Sequence, residues 1–281
     1  MMEEERIIMG ALLSALSHPR LSDLTHSILS ATHHQCHRLS SIVSSPSLFS
    51  LTLHHLHSLT LPDKTLLIAR HLLVSLHHLT RYVYPSPSQA STGMNQRDLD
   101  AALLLLLLCE VQQHNPETLR EPVKRWQGVL SEVLCNRMLS ISGVGVGVIP
   151  FVEMVTRSLR FVGGMGCCCC GGEKEGTYEV AASREAVIAL PSVEVEVREG
   201  QVVVEKCVIC REEMKQGREV CELPCGHLFH WICILPWLTK RSTCPCCRFQ
   251  LPTDDVFCEI QRLWSSLLLN HSLSHGVGSS S

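Results

Sequence analysis

Eight cysteine and histidine residues, grouped in close pairs, carry the most distinctive chemistry in this sequence. The stretch LPCGHLFHWIC, from Leu223 to Cys233, contains four of them among large apolar residues. Zinc binds sulfur and imidazole ligands tetrahedrally, and a two-residue spacer allows both thiolates of a pair to reach one ion. Because four protein ligands fill a zinc site, eight ligands predict two structural zinc ions. The predicted ligands are Cys207, Cys210, Cys225, His227, His230, Cys233, Cys244 and Cys247.

Other uses of the clustered cysteines agree less well with the sequence. A disulfide framework is typical of secreted proteins, but the chain starts with MMEEER, which lacks the basic segment of a signal peptide. A catalytic zinc ion needs an open coordination position, which two filled sites do not leave. Cys246 could replace Cys247 as a ligand, although the C-P-x-C spacing favours Cys247. Cys221 is a spare thiol, and Cys258 is expected to be a buried apolar side chain.

The order and spacing of the eight residues resemble those of the RING-H2 zinc finger over about Glu205 to Arg248. Within this region, HLFHWICILPWLTKRSTCPCCR is similar to the signature of RING ubiquitin ligases nearly residue for residue. A domain of this size has a small core, so metal binding should supply much of its folding free energy. The resemblance implies two interleaved sites with Phe229 packed between them. One zinc ion would bind Cys207, Cys210, His230 and Cys233, and the other would bind Cys225, His227, Cys244 and Cys247.

The same resemblance implies that the protein is a RING-type E3 ubiquitin ligase. Members of this family bind a ubiquitin-charged ubiquitin-conjugating enzyme (E2) and hold its thioester in a reactive conformation while a substrate lysine attacks. The ligase forms no covalent intermediate with ubiquitin, and its effect is positional and electrostatic. Matched by position, Ile209, Trp237 and Pro245 would form an apolar E2-binding patch. Arg248 would be the linchpin cation, whose guanidinium hydrogen-bonds both ubiquitin and the E2.

A non-catalytic, zinc-dependent scaffold that only binds a partner is the alternative function. In that case Ile209 and Trp237 could be ordinary core residues. Degenerate RING domains typically lose the apolar contact residues or the cation, whereas this sequence keeps both. A ligase that carries ubiquitin on its own cysteine needs an activated thiol with a base nearby, and the sequence nominates none. The pattern therefore favours the RING ligase.

The elements around this module are predicted to be mainly helices. Residues from about 10 to 160 have apolar side chains spaced three and four apart, which predicts five or six helices in a packed all-α bundle. Ser22 is expected to cap one helix, and Pro62, Pro122 and Pro150 are expected in the first turns of others. Segments rich in proline, serine and glycine, such as SSPSL, are expected to separate the helices.

A change of composition after the helical region sets the predicted domain boundaries. Residues 1–160 are expected to form an α-helical region for substrate selection or localisation, and residues 161–192 a cysteine- and glycine-rich linker with a short helix. Residues 193–252 should form the RING-H2 domain, which starts with a β-hairpin that turns at Arg198–Gly200. Residues 253–281 should form a C-terminal helix and a disordered tail. The predicted fold class is therefore multidomain, with an all-α N-terminal region followed by a small zinc-bound α+β RING domain.

Charge and hydrophobicity exclude several other classes of protein. The 281-residue chain has a formal net charge of −3 and no dominant basic block, so we expect no nucleic-acid partner. The apolar stretch Ala101–Cys109 is far shorter than the roughly 20 residues of a membrane span, and we expect it in the core. The histidine clusters His33–His37 and His54–His57 lack a carboxylate or second cysteine pair. They are therefore expected to be solvated or half-buried helix residues.

Two features bear on location. The segments RLSDLTHSILS and LPDKTLLIARHLL, with the length and order of the parts, resemble plant RING ligases that are associated with amyloplasts and linked to shoot gravitropism. Because ubiquitin is cytosolic, this resemblance implies action at the cytosolic face of the plastid; otherwise the protein would be cytoplasmic. Cys167–Cys170 could be palmitoylated, which would add a peripheral membrane association, or could be a flexible tract without that role. The sequence does not identify the protein substrate.

Overall fold

The structure is a computed structural model that describes residues 3–83, 93–120, 122–141, 148–164, 180–194, 206–214 and 219–275. The chain divides into two units. The described residues of the first unit lie within Met1–Pro85, Thr92–Cys167 and Leu263–Ser281, and those of the second unit lie within Cys168–Arg262.

The first unit is built from helices, as predicted. Its described residues up to position 164 form seven α-helices, where the sequence predicts five or six, and a short 3-10 helix at Pro116–Arg120. The α-helices are α1 (Glu3–Ala15), α2 (His18–Ser44), α3 (Pro46–Ser58), α4 (Leu61–Val83), α5 (Gln96–His114), α6 (Val123–Ile141) and α7 (Val148–Gly164).

The helix α3 begins inside SSPSL, a segment that the sequence predicts to be a break. Ser45 is the N-cap, and its hydroxyl accepts a hydrogen bond from the backbone N–H of Leu48. Pro46 is the first helical residue. Proline is favoured there, because the N–H that it lacks would have no partner within the helix. Proline disrupts the interior of a helix, but at the first position of α3 it favours the start of the helix.

The predicted helix starts are correct in some cases and wrong in another. Pro62 and Pro150 lie in the first turns of α4 and α7, as predicted, and Pro122 immediately precedes α6. The prediction that Ser22 caps a helix is wrong, because α2 begins earlier, with Ser17 at its N-cap and a proline in its first turn. Ser22 is therefore an exposed residue inside α2.

One part of the core of the first unit lies where α2 to α6 meet. The apolar stretch of α5 belongs to it, as predicted, since Ala101, Ala102 and Leu104 are fully buried. The histidines of the clusters His33–His37 and His54–His57 are exposed or half-buried, which also agrees with the prediction. None of the helices in the described part of the chain is both long enough and apolar enough to cross a membrane.

The second unit contains a small antiparallel sheet in the order β1-β2-β3. In its register, Val193 faces Val220 and Cys221 faces Phe229. The turn and the second arm of the predicted hairpin lie outside the described residues, and the described strand β1 pairs with β2. The elements of this part of the chain are α8 (Arg184–Ile188), β1 (Ser192–Glu194), β2 (Glu219–Glu222), β3 (Leu228–His230), α9 (Trp231–Leu238) and α10 (Val256–His275), and only the residues of α10 up to Arg262 belong to the second unit.

The core of the second unit is small. Phe229 is its largest fully buried side chain, and Ile234 and Leu238 of α9 pack with it. Cys207 and Cys244 belong to the same buried cluster. So few apolar side chains supply only part of the free energy that a domain of this size needs, which agrees with a fold that depends on metal. The predicted fold class, an all-α region followed by a small α+β module, is confirmed.

Candidate metal centre

The first close pair of cysteines forms a tight turn. The backbone N–H of Arg211 donates to the carbonyl of Cys207 over 2.6 Å, and the N–H of Cys207 donates to the carbonyl of Glu212 over 3.0 Å. A β-bridge between Lys206 and Glu213 closes the turn. Both thiols of the pair are thereby held on one side of the loop.

The last close pair forms an equivalent turn. The backbone N–H of Arg248 donates to the carbonyl of Cys244 over 2.9 Å, and the N–H of Cys244 donates to the carbonyl of Phe249 over 2.9 Å. A β-bridge between Thr243 and Gln250 closes it. We call these two turns the first and second knuckles. Each is followed by an arginine with a left-handed backbone, with φ of 64° at Arg211 and 61° at Arg248.

The central ligand candidates lie around β3. Cys225 and His227 flank Gly226, whose φ of 80° suits glycine because it has no Cβ. The N–H of Leu223 donates to the carbonyl of His227 over 3.0 Å, which fixes this loop. His230 is the last residue of β3, and the third residue of α9 is Cys233.

The structure brings the eight predicted ligands into two groups. Within each group, the candidate ligand atoms all lie within 4.8 Å of one another. The chain alternates between the groups, since His227 and His230 are separated by only two residues yet belong to different ones. The first group is Cys207, Cys210, His230 and Cys233, and the second is Cys225, His227, Cys244 and Cys247.

The distances within the groups fit tetrahedral zinc. The Nδ1 atom of His230 lies 3.4 Å from Sγ of Cys210, and Nδ1 of His227 lies 3.4 Å from Sγ of Cys225. A nitrogen ~2.0 Å and a sulfur ~2.3 Å from one tetrahedral ion are about 3.5 Å apart. The two groups therefore fit two zinc ions, each with a filled set of four ligands. They leave no open position for a catalytic water.

The electrostatics of the thiols also fit a cation. Burial, together with the neighbouring sulfurs, raises the pKa of Cys233 to about 12. Burial likewise raises the pKa of Cys225 to about 12, with Cys247 and Cys244 contributing. Thiolates crowded in this way need a compensating positive charge, and zinc binds cysteine as the thiolate. The donor set is thus suited to a metal ion.

Among the described residues of the unit, the remaining cysteines lie outside both groups. Cys221 is fully buried, and burial, followed by the charge of Glu222, raises the pKa of its thiol to about 11. It is therefore a neutral apolar residue. Cys246 is exposed. The expectation that Cys258 is buried is wrong, because it lies half-exposed in the first turn of α10. Cys167–Cys170 lie outside the described residues.

The residues predicted to contact an E2 lie on or beside the knuckles. Ile209, within the first knuckle, is 38% exposed. Pro245, within the second, is half-buried, and Arg248 is exposed. Trp237 is half-buried on α9, and its Nε1–H donates to the carbonyl of Thr243 over 2.7 Å. This hydrogen bond ties the indole to the segment that enters the second knuckle.

A segment before the cysteine pairs runs along α9 and is held at both ends. The N–H of Ala182 donates to the carbonyl of Leu238 over 3.0 Å, at the end of α9. At the start of α9, Nε1–H of Trp231 donates to Oγ of Ser192 over 3.3 Å. Between these points, Leu190 is buried in the core of the unit. We call Ala182–Ser192 the brace; the sequence predicts its short helix but not this packing.

The brace is anchored a third time near the end of the unit. The N–H of Ser183 donates to the carbonyl of Pro252 over 2.8 Å. The side chain of Ser183 is buried, and its Oγ accepts from the N–H of Ala186, which caps α8. One residue thus starts a helix and fastens it to the segment after the second knuckle. The folded unit therefore extends on both sides of the region that holds the eight ligands.

Comparison with known proteins agrees with this geometry. The Ring finger domain family model matches residues 205–248. The chain belongs to the RING-type E3 ubiquitin-protein ligases, which act with an E2 and ubiquitin. It is 51% identical over 282 residues to the amyloplastic E3 ubiquitin-protein ligase SGR9 of Arabidopsis thaliana, an alignment that covers 97% of this chain and 99% of that protein.

Other relatives match only part of the chain. The E3 ubiquitin-protein ligase RNF181 of Xenopus laevis is 48% identical over 73 residues, which are 26% of this chain and 46% of that protein. The E3 ubiquitin-protein ligase CIP8 of Arabidopsis thaliana is 47% identical over 75 residues, which are 27% of this chain and 22% of that protein. The predicted family, the ligase activity and the two zinc ions are thereby confirmed.

Proposed function

We propose that Ile209, Trp237 and Pro245 form the surface that binds the E2. The exposure of Ile209, at 38%, supports a contact surface, because isoleucine is among the residues most often buried. Trp237 and Pro245 are each half-buried, so the domain holds them while part of each side chain meets solvent. An aromatic side chain held in one orientation, as Trp237 is by its hydrogen bond to Thr243, is typical of the centre of an interface.

We infer that Arg248 is the linchpin cation. Its backbone is fixed by the second knuckle, while its side chain is exposed. The left-handed φ of 61° gives the side chain a direction that a helical or extended residue would not have. A guanidinium offers five donors in a planar fork, so it can donate to acceptors on two partners at once.

These roles give a mechanism of positioning. The E2 docks on the apolar patch, and Arg248 donates to the E2 and to ubiquitin, which restrains the thioester. A substrate lysine then attacks the thioester carbonyl, and the E2 thiolate leaves. Restraint raises the rate because less conformational freedom is lost at the moment of attack. Zinc, when bound by the eight ligands, supplies the rigid frame for these residues.

The helical unit is proposed to select the substrate or the location. The relative that aligns with nearly the whole chain is named amyloplastic, which supports action at the plastid. Because ubiquitin is cytosolic, we place the protein on the cytosolic face of that organelle, with a role in shoot gravitropism.

Palmitoylation of Cys167–Cys170 would strengthen peripheral membrane association. Changing all four cysteines to serine should then release the protein from the membrane fraction, and unchanged fractionation would exclude lipidation.

The E2-binding proposal is tested by discharge of ubiquitin from a charged E2 to free lysine. Trp237→Ala should lower discharge roughly thirtyfold or more, as expected when an aromatic anchor worth ~2 kcal/mol or more is removed. Ile232→Ala is the matched control, since Ile232 is also apolar, is 82% exposed and lies on the same helix outside the patch. It should discharge at nearly the wild-type rate.

Zinc content is determined on every sample, so that loss of activity is not confused with loss of fold. If Trp237→Ala retains two zinc ions and discharges the E2 at the wild-type rate, the assignment of the patch is contradicted.

A further inference from the structure

Arg241 lies over the ring of Trp237 at the end of α9. Its guanidinium carbon is 4.7 Å from the centroid of the ring. The backbone N–H of Arg241 donates to the carbonyl of Trp237 over 2.9 Å, so the two residues are one helical turn apart and their side chains share a face. At this distance the electron-rich face of the indole attracts the cation. The side chain of Arg241 is nevertheless exposed.

The ring of Trp237 is fixed at its polar edge as well. Its Nε1–H donates to the carbonyl of Thr243, directly before the ligand candidate Cys244. The ring cannot turn away from Arg241 without losing this hydrogen bond. A partner that packs against Trp237 therefore meets an indole with a guanidinium over one face. An arginine stacked on an aromatic ring still directs N–H groups outward from the edge of its fork.

We propose that Arg241 is a specificity-determining residue that selects the E2 by charge. It favours an E2 with an acceptor oxygen, above all a carboxylate, on the loop that meets Trp237. It disfavours an E2 with lysine or arginine at that point, because like charges brought together at an interface cost free energy. This inference rests on the proposed E2-binding role of Trp237.

The neighbouring residue Lys240 supplies a matched comparison. It is also an exposed cation, and its N–H also donates to the carbonyl of Trp237, over 3.0 Å. Cations near the C-terminal end of a helix stabilise it through the helix dipole. A purely structural role would therefore give both residues the same effect. The contact with the ring distinguishes Arg241.

The first part of the test compares Arg241→Gln with Lys240→Gln in the full chain. Discharge to free lysine is measured with an E2 that carries glutamate on a loop facing the RING domain, and zinc content is determined alongside. Arg241→Gln should lower discharge about threefold to tenfold, the range for a partly exposed ion pair together with a cation–π contact. Lys240→Gln should stay within about twofold of wild type. Equal effects of the two variants would overturn the proposal.

The second part exchanges the charges. Glutamate and lysine are introduced in turn at each position of the E2 loops that face the RING domain. At one of these positions the wild-type chain should discharge the glutamate E2 faster than the lysine E2, and Arg241→Glu should reverse that order. Added salt should reduce the preference. If Arg241→Glu reverses the order of discharge at none of these positions, Arg241 does not select the E2 by charge.

Trp237→Ala separates failure of this inference from failure of the proposed patch. If Trp237→Ala loses discharge while Arg241→Glu leaves the order of the E2 variants unchanged, the patch stands and charge selection is wrong. If Trp237→Ala discharges normally, the patch itself is misassigned. In that case the role of Arg241 is rejected with it.

Discussion

Arg211 and Arg248 have the same backbone conformation at equivalent points of the two knuckles, with φ of 64° and 61°. Each follows the second cysteine of a pair and donates its N–H to the carbonyl of the first. A left-handed φ is uncommon for a residue with a side chain, so the turn itself imposes it. Any difference in function between the two arginines must therefore come from what their side chains meet.

This equivalence makes Arg211→Ala the control for Arg248→Ala. Both changes remove an exposed guanidinium from a left-handed residue, so their effects on stability should be similar. Arg248→Ala should slow thioester discharge roughly tenfold or more, as for loss of a donor that acts in the transition state, while the uncharged E2 still binds. Arg211→Ala should discharge nearly normally. Equal losses in the two variants would remove Arg248 from its assigned role.

Cys233→Ser should abolish zinc binding and discharge together. Serine does not supply the thiolate that the first group needs, and structural zinc contributes on the order of 10 kcal/mol or more to such folds. Metal analysis should give two zinc ions per wild-type chain, and addition of a chelator should unfold the second unit. One zinc ion or none in the wild type would contradict the two four-ligand groups. Cys246→Ser, outside both groups, should keep two zinc ions.

The brace should matter for stability more than for metal content. A fragment covering 193–253 keeps all eight ligands but lacks the buried Leu190 and the hydrogen bonds of Ala182 and Ser183. A fragment covering 180–253 keeps them and ends at the same residue. Both should bind two zinc ions, but the shorter one should be less stable by on the order of 3 kcal/mol, from one buried leucine and its hydrogen bonds. Equal melting temperatures would show that the brace contributes nothing.

The helical unit should lose stability below neutral pH because of His71. This side chain is 1% exposed on α4, and burial lowers its pKa to about 4. In the unfolded chain its pKa is about 6.5, so the unfolded state binds the proton first. The stabilising effect of the neutral form is complete above pH ~6.5 and is lost as the pH falls towards 4. The total loss is on the order of 3 kcal/mol. Denaturant unfolding of the full chain at several pH values measures this.

The free energy of unfolding of the variant His71→Gln should depend less on pH over that range. Its polar side chain can still meet Gln35, whose Nε2 lies 3.4 Å from Nε2 of His71. His34→Gln is the control, because His34 is exposed on α2, and it should keep the wild-type pH dependence. An unchanged pH profile in His71→Gln would assign the effect to other groups.

The zinc ligands could be predicted because their spacing is local. The two thiolates of a pair such as Cys207 and Cys210 can reach one ion independently of how the rest of the chain folds. The interleaving of His227 and His230 between two groups came from the family resemblance, because spacing alone does not fix which pair joins which. The sequence does not predict the left-handed φ of Arg211, because arginine carries no signal for that conformation.

Contacts between distant elements could not be predicted in this way. Ser183 marks the start of a helix, but a cap does not specify which surface the helix packs against. The ring contact of Arg241 depends on the rotamer of Trp237, which a hydrogen bond to Thr243 decides. His71 is buried because α4 packs against α2, α5 and α7. Residue type does not specify this burial, because histidine is intermediate between buried and exposed residues in general.

The alternation of the two ligand groups along the chain has a consequence for how the protein responds to zinc supply. Only Leu228 and Phe229 separate a ligand of one group from a ligand of the other, and Phe229 is in the common core. Because both groups are anchored to this core, we expect that emptying one group destabilises the other. Under scarcity, molecules would be either fully loaded or unfolded. Zinc limitation would thus reduce the number of working ligase molecules while leaving the turnover of each one unchanged.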